Sequence, residues 1–151
     1  MSLAELDTLL KASTAKATPF AKTVFEPGNE WSATRVQEFI NAVGSAAAAT
    51  TSEAGWPHAG WVPVSCLDGS IFLAGTPGSV FLRNAEVTGR LAIVISGHGH
   101  AVIGQGTCRV VTANEALRAA FAHLGGADLA DDERPWLRGL VLFTPKRLFA
   151  S

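Results

Sequence analysis

From Ala46 onward, short apolar segments alternate with turn residues at close intervals, and this rhythm restricts the fold more than any other feature of the chain. It is how an all-β sandwich or barrel reads, because each strand needs a turn before the next can pair with it. Asp68-Gly69, between the apolar runs His58 to Leu67 and Ser70 to Ala74, is the clearest hairpin signal. Both residues tolerate the positive φ that tight hairpin turns demand. Ala46 to Ser52, closed by Glu53-Ala54-Gly55, completes an expected antiparallel meander. Arg90 to Ser96 carries the run Leu-Ala-Ile-Val-Ile and is expected to be a strand buried on both faces. After the tight turn Gly97-His98-Gly99-His100 comes a strand from Ala101 to Val111, in which Gly104 and Gly106 mark bulges or strong curvature. Leu137 to Phe143 is the last expected strand, and Pro145 stands where a strand ends or becomes an edge.

Helical signals flank these strands. Ser2 caps a short amphipathic helix running to Lys11, and a looser segment follows through Pro19, Pro27 and Gly28. Ser32 caps a second helix whose Val36, Phe39, Ile40 and Val43 share one face, and Gly44 stops it over one end of the barrel. Ser79 to Glu86 predicts one or two helical turns. Asn114 caps a helix to about Leu124, stopped by Gly125-Gly126, with the loop Asp128 to Arg134 behind it. The expected fold class is therefore mainly β with flanking helices: one domain over 1–151, made of a helical segment 1–44 and a barrel 45–151 with an inserted helix at about 114–124.

Composition removes several function classes. With 151 residues, 48% of them hydrophobic and 17% charged, the chain can bury one sizeable core and is not of the disordered type. A net charge of −1 with scattered basic residues gives no reason to expect nucleic acid, whose binders concentrate Lys and Arg on one face. The longest apolar runs, such as Leu91 to Ile95, are far shorter than a membrane span, so no membrane partner is expected. Only Cys66 and Cys108 are available for a disulfide, and Met1-Ser2-Leu3-Ala4-Glu5 does not read as a secretory signal. A reduced, cytoplasmic setting is the expectation.

The loop Gly75-Thr76-Pro77-Gly78-Ser79 is the strongest chemical feature. It leads from an apolar strand into small residues whose backbone amides can approach an anion, with a helix start beyond them, and such amides favour phosphate. Arg83, one helical turn past Ser79, can add a charge-assisted bond, while Asn84 fixes the loop or meets a ribityl hydroxyl. Taken alone, the same residues also make an ordinary connecting turn. No Gly-Lys-Ser/Thr follows, and no Gly-x-Gly-x-x-Gly is present, which moves both nucleotide-loop classes down.

The order of the pieces adds to this. The N-terminal helix, the turn Gly55-Trp56-Pro57-His58, the strand to Cys66, the Asp68-Gly69 hairpin, the Thr76 to Asn84 segment, Gly89-Arg90 and Gly106 together resemble the pyridoxamine 5′-phosphate oxidase-like split-barrel family over about Val36 to Val111. The resemblance implies a homodimer holding FMN, or the deazaflavin F420, between subunits, and an oxidoreductase acting on a small-molecule substrate. It further implies that Gly60, Trp61 and Val62 run beside the cofactor, that His58 either contacts the flavin edge or is a hydrogen-bonded strand residue, and that Thr76, Ser79, Arg83 and Asn84 meet the phosphate and tail. Many members carry a basic pair after the Ser, where this chain has Val80 and Phe81. One lost charge-assisted bond weakens binding by about 1.5–3 kcal/mol, roughly tenfold to a hundredfold.

Other candidates carry two readings each. His98 and His100 are possible metal or haem ligands, but a His-Gly-His turn without a nearby third ligand is more often plain loop, and no metal site is expected. His100 can instead face the cofactor cleft. Trp136 can stack on a flavin ring or anchor a dimer, and Trp31, Trp56 and Trp61 have the same alternatives. Both cysteines read as small core hydrophobes. No catalytic side chain is assigned, because the cofactor of such an enzyme carries the chemistry. The alternatives are a haem-binding member of the same fold and a cofactor-free binding or interaction module.

Overall fold

A computed structural model of the chain describes residues 1–122 and 139–151. Its strands are β1 (Ser45–Thr51), β2 (Pro57–Leu67), β3 (Ser70–Ala74), β4 (Arg90–Gly97), β5 (His100–Val111) and β6 (Leu140–Ala150). They close a barrel in the order β1-β2-β3-β6-β5-β4, and every pairing is antiparallel. The expected β1-β2-β3 meander is present, joined by the Asp68-Gly69 turn at φ 50° and 87°. The β4-β5 hairpin turns on His98 and Gly99, also at positive φ (54° and 77°), which is the conformation a two-residue hairpin requires.

The helices are α1 (Leu3–Ala15), α2 (Pro19–Val24), α3 (Ala33–Val43), α4 (Val80–Val87) and α5 (Glu115–Ala120). α1 runs past Lys11, and the segment expected to be loose contains α2, because Thr18 caps it and Pro19 sits in its first turn, where no N–H is missed. α3 begins at the Ser32 cap and stops at Gly44 with φ 72°. Gln37 and Asn41 on α3 hold the β2-β3 hairpin: Gln37 Oε1 accepts from Gly69 N–H at 2.9 Å, and Asn41 bonds both the N–H and C=O of Cys66. α4 packs against β1, β2, β4 and β5.

Two expectations about the strands are corrected. β4 alternates instead of being buried on both faces: Leu91, Ile93 and Ile95 point into the core, while Val94 is 41% exposed on the outer wall. Parallel sheets need cover on both faces, but a barrel wall buries only its inner one. Pro145 does not end the last strand. β6 runs on to Ala150, and the register shifts at this point, with Gln105 opposite Arg147 but Gly106 opposite Pro145. Lys146 is thus the extra residue of a β-bulge, and a bulge tolerates a proline that cannot donate to the ladder. The predicted end of the α5 helix at Leu124, the Gly125-Gly126 stop, the loop Asp128 to Arg134, Trp136 and the start of the last strand at Leu137 lie outside the described residues.

Candidate functional site

β3 runs into Gly75, whose N–H donates to Gly139 C=O at 2.9 Å, so this amide is spent on the sheet. Thr76 to Ser79 then form a tight turn, with Ser79 N–H donating to Thr76 C=O at 2.9 Å and Gly78 at φ 86°. Pro at the second position and Gly at the third are what a type II turn asks for. Ser79 caps α4, its Oγ accepting from Leu82 N–H at 3.2 Å, and its hydroxyl proton stays available to donate. The amides of Val80 and Phe81 open α4 without acceptors among the described residues. Arg83 is exposed one turn later, and Thr76 is exposed beside the turn. An anion placed here would meet free amides, hydroxyls and a guanidinium at the positive end of a helix.

The segment of β2 predicted to run beside a cofactor splits between two faces. On β2, β3 pairs with Val64 to Leu67, so among the described residues Pro57 to Pro63 of β2 is bordered by β1 alone. Trp61 points out and is 67% exposed, whereas Val62 turns into the core at 7% exposure and offers no side chain to a ligand. Gly60 shares the face of His58, where a Cβ would stand 3.5 Å from His58 Cε1. His58 is half-buried, and its Nδ1 is enclosed without a hydrogen-bond partner among the described residues. Asn84 is not free for a ligand: it is buried at 4% exposure and its Nδ2 donates to Thr50 Oγ1 at 3.1 Å, tying α4 to β1. Among the described residues, the structure thus brings Thr76, Ser79 and Arg83 to one turn, leaves His58, Gly60 and Trp61 on β2, and spends Val62 and Asn84 on packing.

A groove of about 310 Å³ runs over the outer wall, lined by Ala47, Ala49, Ala59, Val94, Ile103 and Phe149 among others. Trp61 flanks it, since it lies opposite Ala47 in the β1-β2 ladder. The groove continues into a second hollow of about 450 Å³ bordered by Arg90, Gln105, Gly106, Thr107 and Lys146. These residues escape a reading of the sequence because nothing links Arg90 to Lys146 until the bulge places both on one wall. His100 does not face this cleft. Its ring stands edge-on to Trp31 at 5.1 Å and near Phe39 at 6.3 Å, and Arg35 stacks over Trp31 at 3.8 Å, so Trp31 serves packing.

The sequence pattern described as "Pyridoxamine 5'-phosphate oxidase" matches residues 33–150. The chain belongs to that family. A search of curated proteins finds no match. Among solved structures, a conserved hypothetical protein from Mycobacterium tuberculosis superposes with a TM-score of 0.63 at 20% identity, covering 78% of this chain and 82% of that one. An FAD binding protein from Mycobacterium smegmatis gives 0.57 at 17% identity, covering 80% and 94%. HutZ, a haem storage protein from Vibrio cholerae, gives 0.55 at 17% identity, covering 77% and 92%. At these identities the likeness is one of fold.

Within this oxidase-family barrel, Phe81 stands where the basic pair was missed, and its side chain turns inward at 3% exposure. It fills the space under Gly75, where an added Cβ would come within 2.7 Å of Phe81 Cδ1. Val80 stays out, 51% exposed. Both cysteines are buried and unpaired with each other, as core residues. Burial pushes the thiol of Cys66 up to about 12 and that of Cys108 up to about 11. Above the ordinary thiol value of 9.0 the unfolded thiols ionise while the folded ones keep their protons, so stability falls as pH rises from about 9 toward 11 to 12. Urea midpoints should drop between about pH 8 and pH 10, and Cys66→Ala should flatten that drop; an identical drop in the variant would assign it to other groups. Among the described residues no three His, Cys, Asp or Glu side chains gather as metal ligands, and no helix is long and apolar enough to cross a membrane.

Proposed function

We propose that this chain binds a flavin-type cofactor, FMN or F420, between two copies of itself and acts as an oxidoreductase on a small-molecule substrate. The observation that carries this reading is the donor set at the start of α4. The free amides of Val80 and Phe81, the hydroxyls of Thr76 and Ser79, and the guanidinium of Arg83 form a cradle for a phosphate. Family membership supports it, as does the similar fold of an FAD binding protein. The cofactor, when bound, supplies hydride or electron transfer. The chain's own residues bind and orient: the cradle fixes the phosphate, and Trp61 borders the ring on the outer wall, while His58 and Gly60 stand on the opposite, inner face of β2. The apolar outer wall, with Val94 at 41% and Ile103 at 38% exposure, gives a second copy a surface to cover and a means to exclude water.

Titration of the purified protein with FMN, F420 and haem tests this reading. A Kd below about 100 μM, which corresponds to about 5.5 kcal/mol, is expected for one of the two flavin-type compounds. Arg83→Ala should weaken FMN roughly tenfold to a hundredfold and leave both riboflavin affinity and the melting temperature unchanged. Binding of none of the three turns the assignment to a cofactor-free binding module, which the inward Phe81 favours. A Soret band lost on His98→Ala, with His100 held by Trp31 and Phe39, turns it to a haem protein like HutZ in function as well as fold.

A further inference from the structure

The outer-wall groove has a basic end whose residues are not those of the loop cradle. Arg90 opens β4 pointing outward and lies opposite Thr107 of β5, while Lys146 is the bulged residue of β6 beside Gly106. Both are exposed, and neither has an ionic partner among the described residues. The described lining adds the polar side chains of Thr51, Thr107 and Gln105 and contains no acidic residue. Through Ala49, Ala92 and Gln105 it is continuous with the apolar groove. Arg147 adds a third cation on the wall of the largely apolar stretch, and neither described lining contains an acidic residue, so among the described residues the groove favours a ligand with an apolar body and an anionic group. The bulge is what aims Lys146, because an extra residue there re-directs the side chain out of the ladder's alternation.

We infer that Arg90 and Lys146 form an anion subsite that takes a phosphate or carboxylate of the molecule lying in the groove. The inference stands apart from the flavin reading, since it needs only an anion and not a particular cofactor. Its first test is amide NMR of the full chain titrated with inorganic pyrophosphate at low ionic strength. Saturable shifts at Arg90, Gly106 and Thr107 are expected, weakened at least tenfold in Arg90→Gln/Lys146→Gln and unchanged in Lys16→Gln, which removes a charge elsewhere. Absence of saturable shifts at these amides in the native chain, or equal shifts in the double variant, overturns the subsite.

A second arm identifies the source of the anion. If the double variant loses FMN affinity tenfold and keeps riboflavin affinity, the subsite holds the cofactor's tail. If it loses only pyrophosphate, the subsite holds the substrate's acid group. Should no flavin bind at all, the flavin reading falls and the pyrophosphate arm still decides the subsite.

Discussion

Phe81→Lys is expected to destabilise the protein by about 3–5 kcal/mol, the usual cost of deleting a buried phenylalanine, with the burial of an unpaired ammonium added to it. Against a typical total of about 5–15 kcal/mol this is enough to unfold much of the population. The substitution would restore a family-like basic residue after Ser79, so a reading of the sequence alone would forecast tighter phosphate binding. The structure reverses that forecast, because Phe81 packs beneath Gly75 and cannot leave without opening a cavity. Val80→Lys is the useful counterpart. Its side chain is half exposed, so its stability should change by no more than about 0.5 kcal/mol. If the loop is the phosphate cradle, FMN affinity should rise up to about tenfold. Thermal melts of both variants decide the point, and a Phe81→Lys protein melting like the native one would sink it.

The second large effect is expected at the bulge. A Cβ added at Gly106 would lie 2.2 Å from Thr144 C=O, 2.8 Å from Pro145 Cα and 2.9 Å from Lys146 N, all of them backbone atoms. Backbone cannot swing aside as a side chain can, so Gly106→Ala should force β5 and β6 apart at a cost of about 2–3 kcal/mol. For a chain of this size that lowers Tm by roughly 5–10 °C. Gly104→Ala offers the control. Its nearest neighbour is Leu148 Cδ1 at 2.7 Å, the end of a flexible side chain, and its cost should be smaller. Calorimetry showing equal losses for the two variants would refute the backbone argument. Pyrophosphate affinity should fall with Gly106→Ala as well, because Lys146 is aimed by the same irregularity.

Much of this barrel could be read from local rules. Asp68-Gly69, the Ser32 and Asn114 caps and the Gly44 stop all act within a few residues of themselves, and the structure places a turn or helix end at each. What escaped depends on pairing across long stretches of chain. Pro145 looks like a terminator until β5 supplies a bulge to hold it, and Leu-Ala-Ile-Val-Ile looks doubly buried until the barrel gives it an outside. The candidate site divides the same way. Ser79 and Arg83 follow from helix spacing, whereas the commitment of Asn84 to Thr50 and the meeting of Arg90 with Lys146 exist only once the strands are closed.

Among the described residues, the half of β2 with a neighbour on one side only begins at Pro57 and ends at Pro63. An unpaired strand edge bearing an exposed tryptophan invites other chains to add strands and grow into aggregates. The prolines withhold an N–H at each end of that stretch, which shortens the row of donors an incoming strand could use. Colloidal behaviour is therefore written into this segment, and exchanging either proline for alanine should raise fibre-like self-association, read as light scattering on incubation.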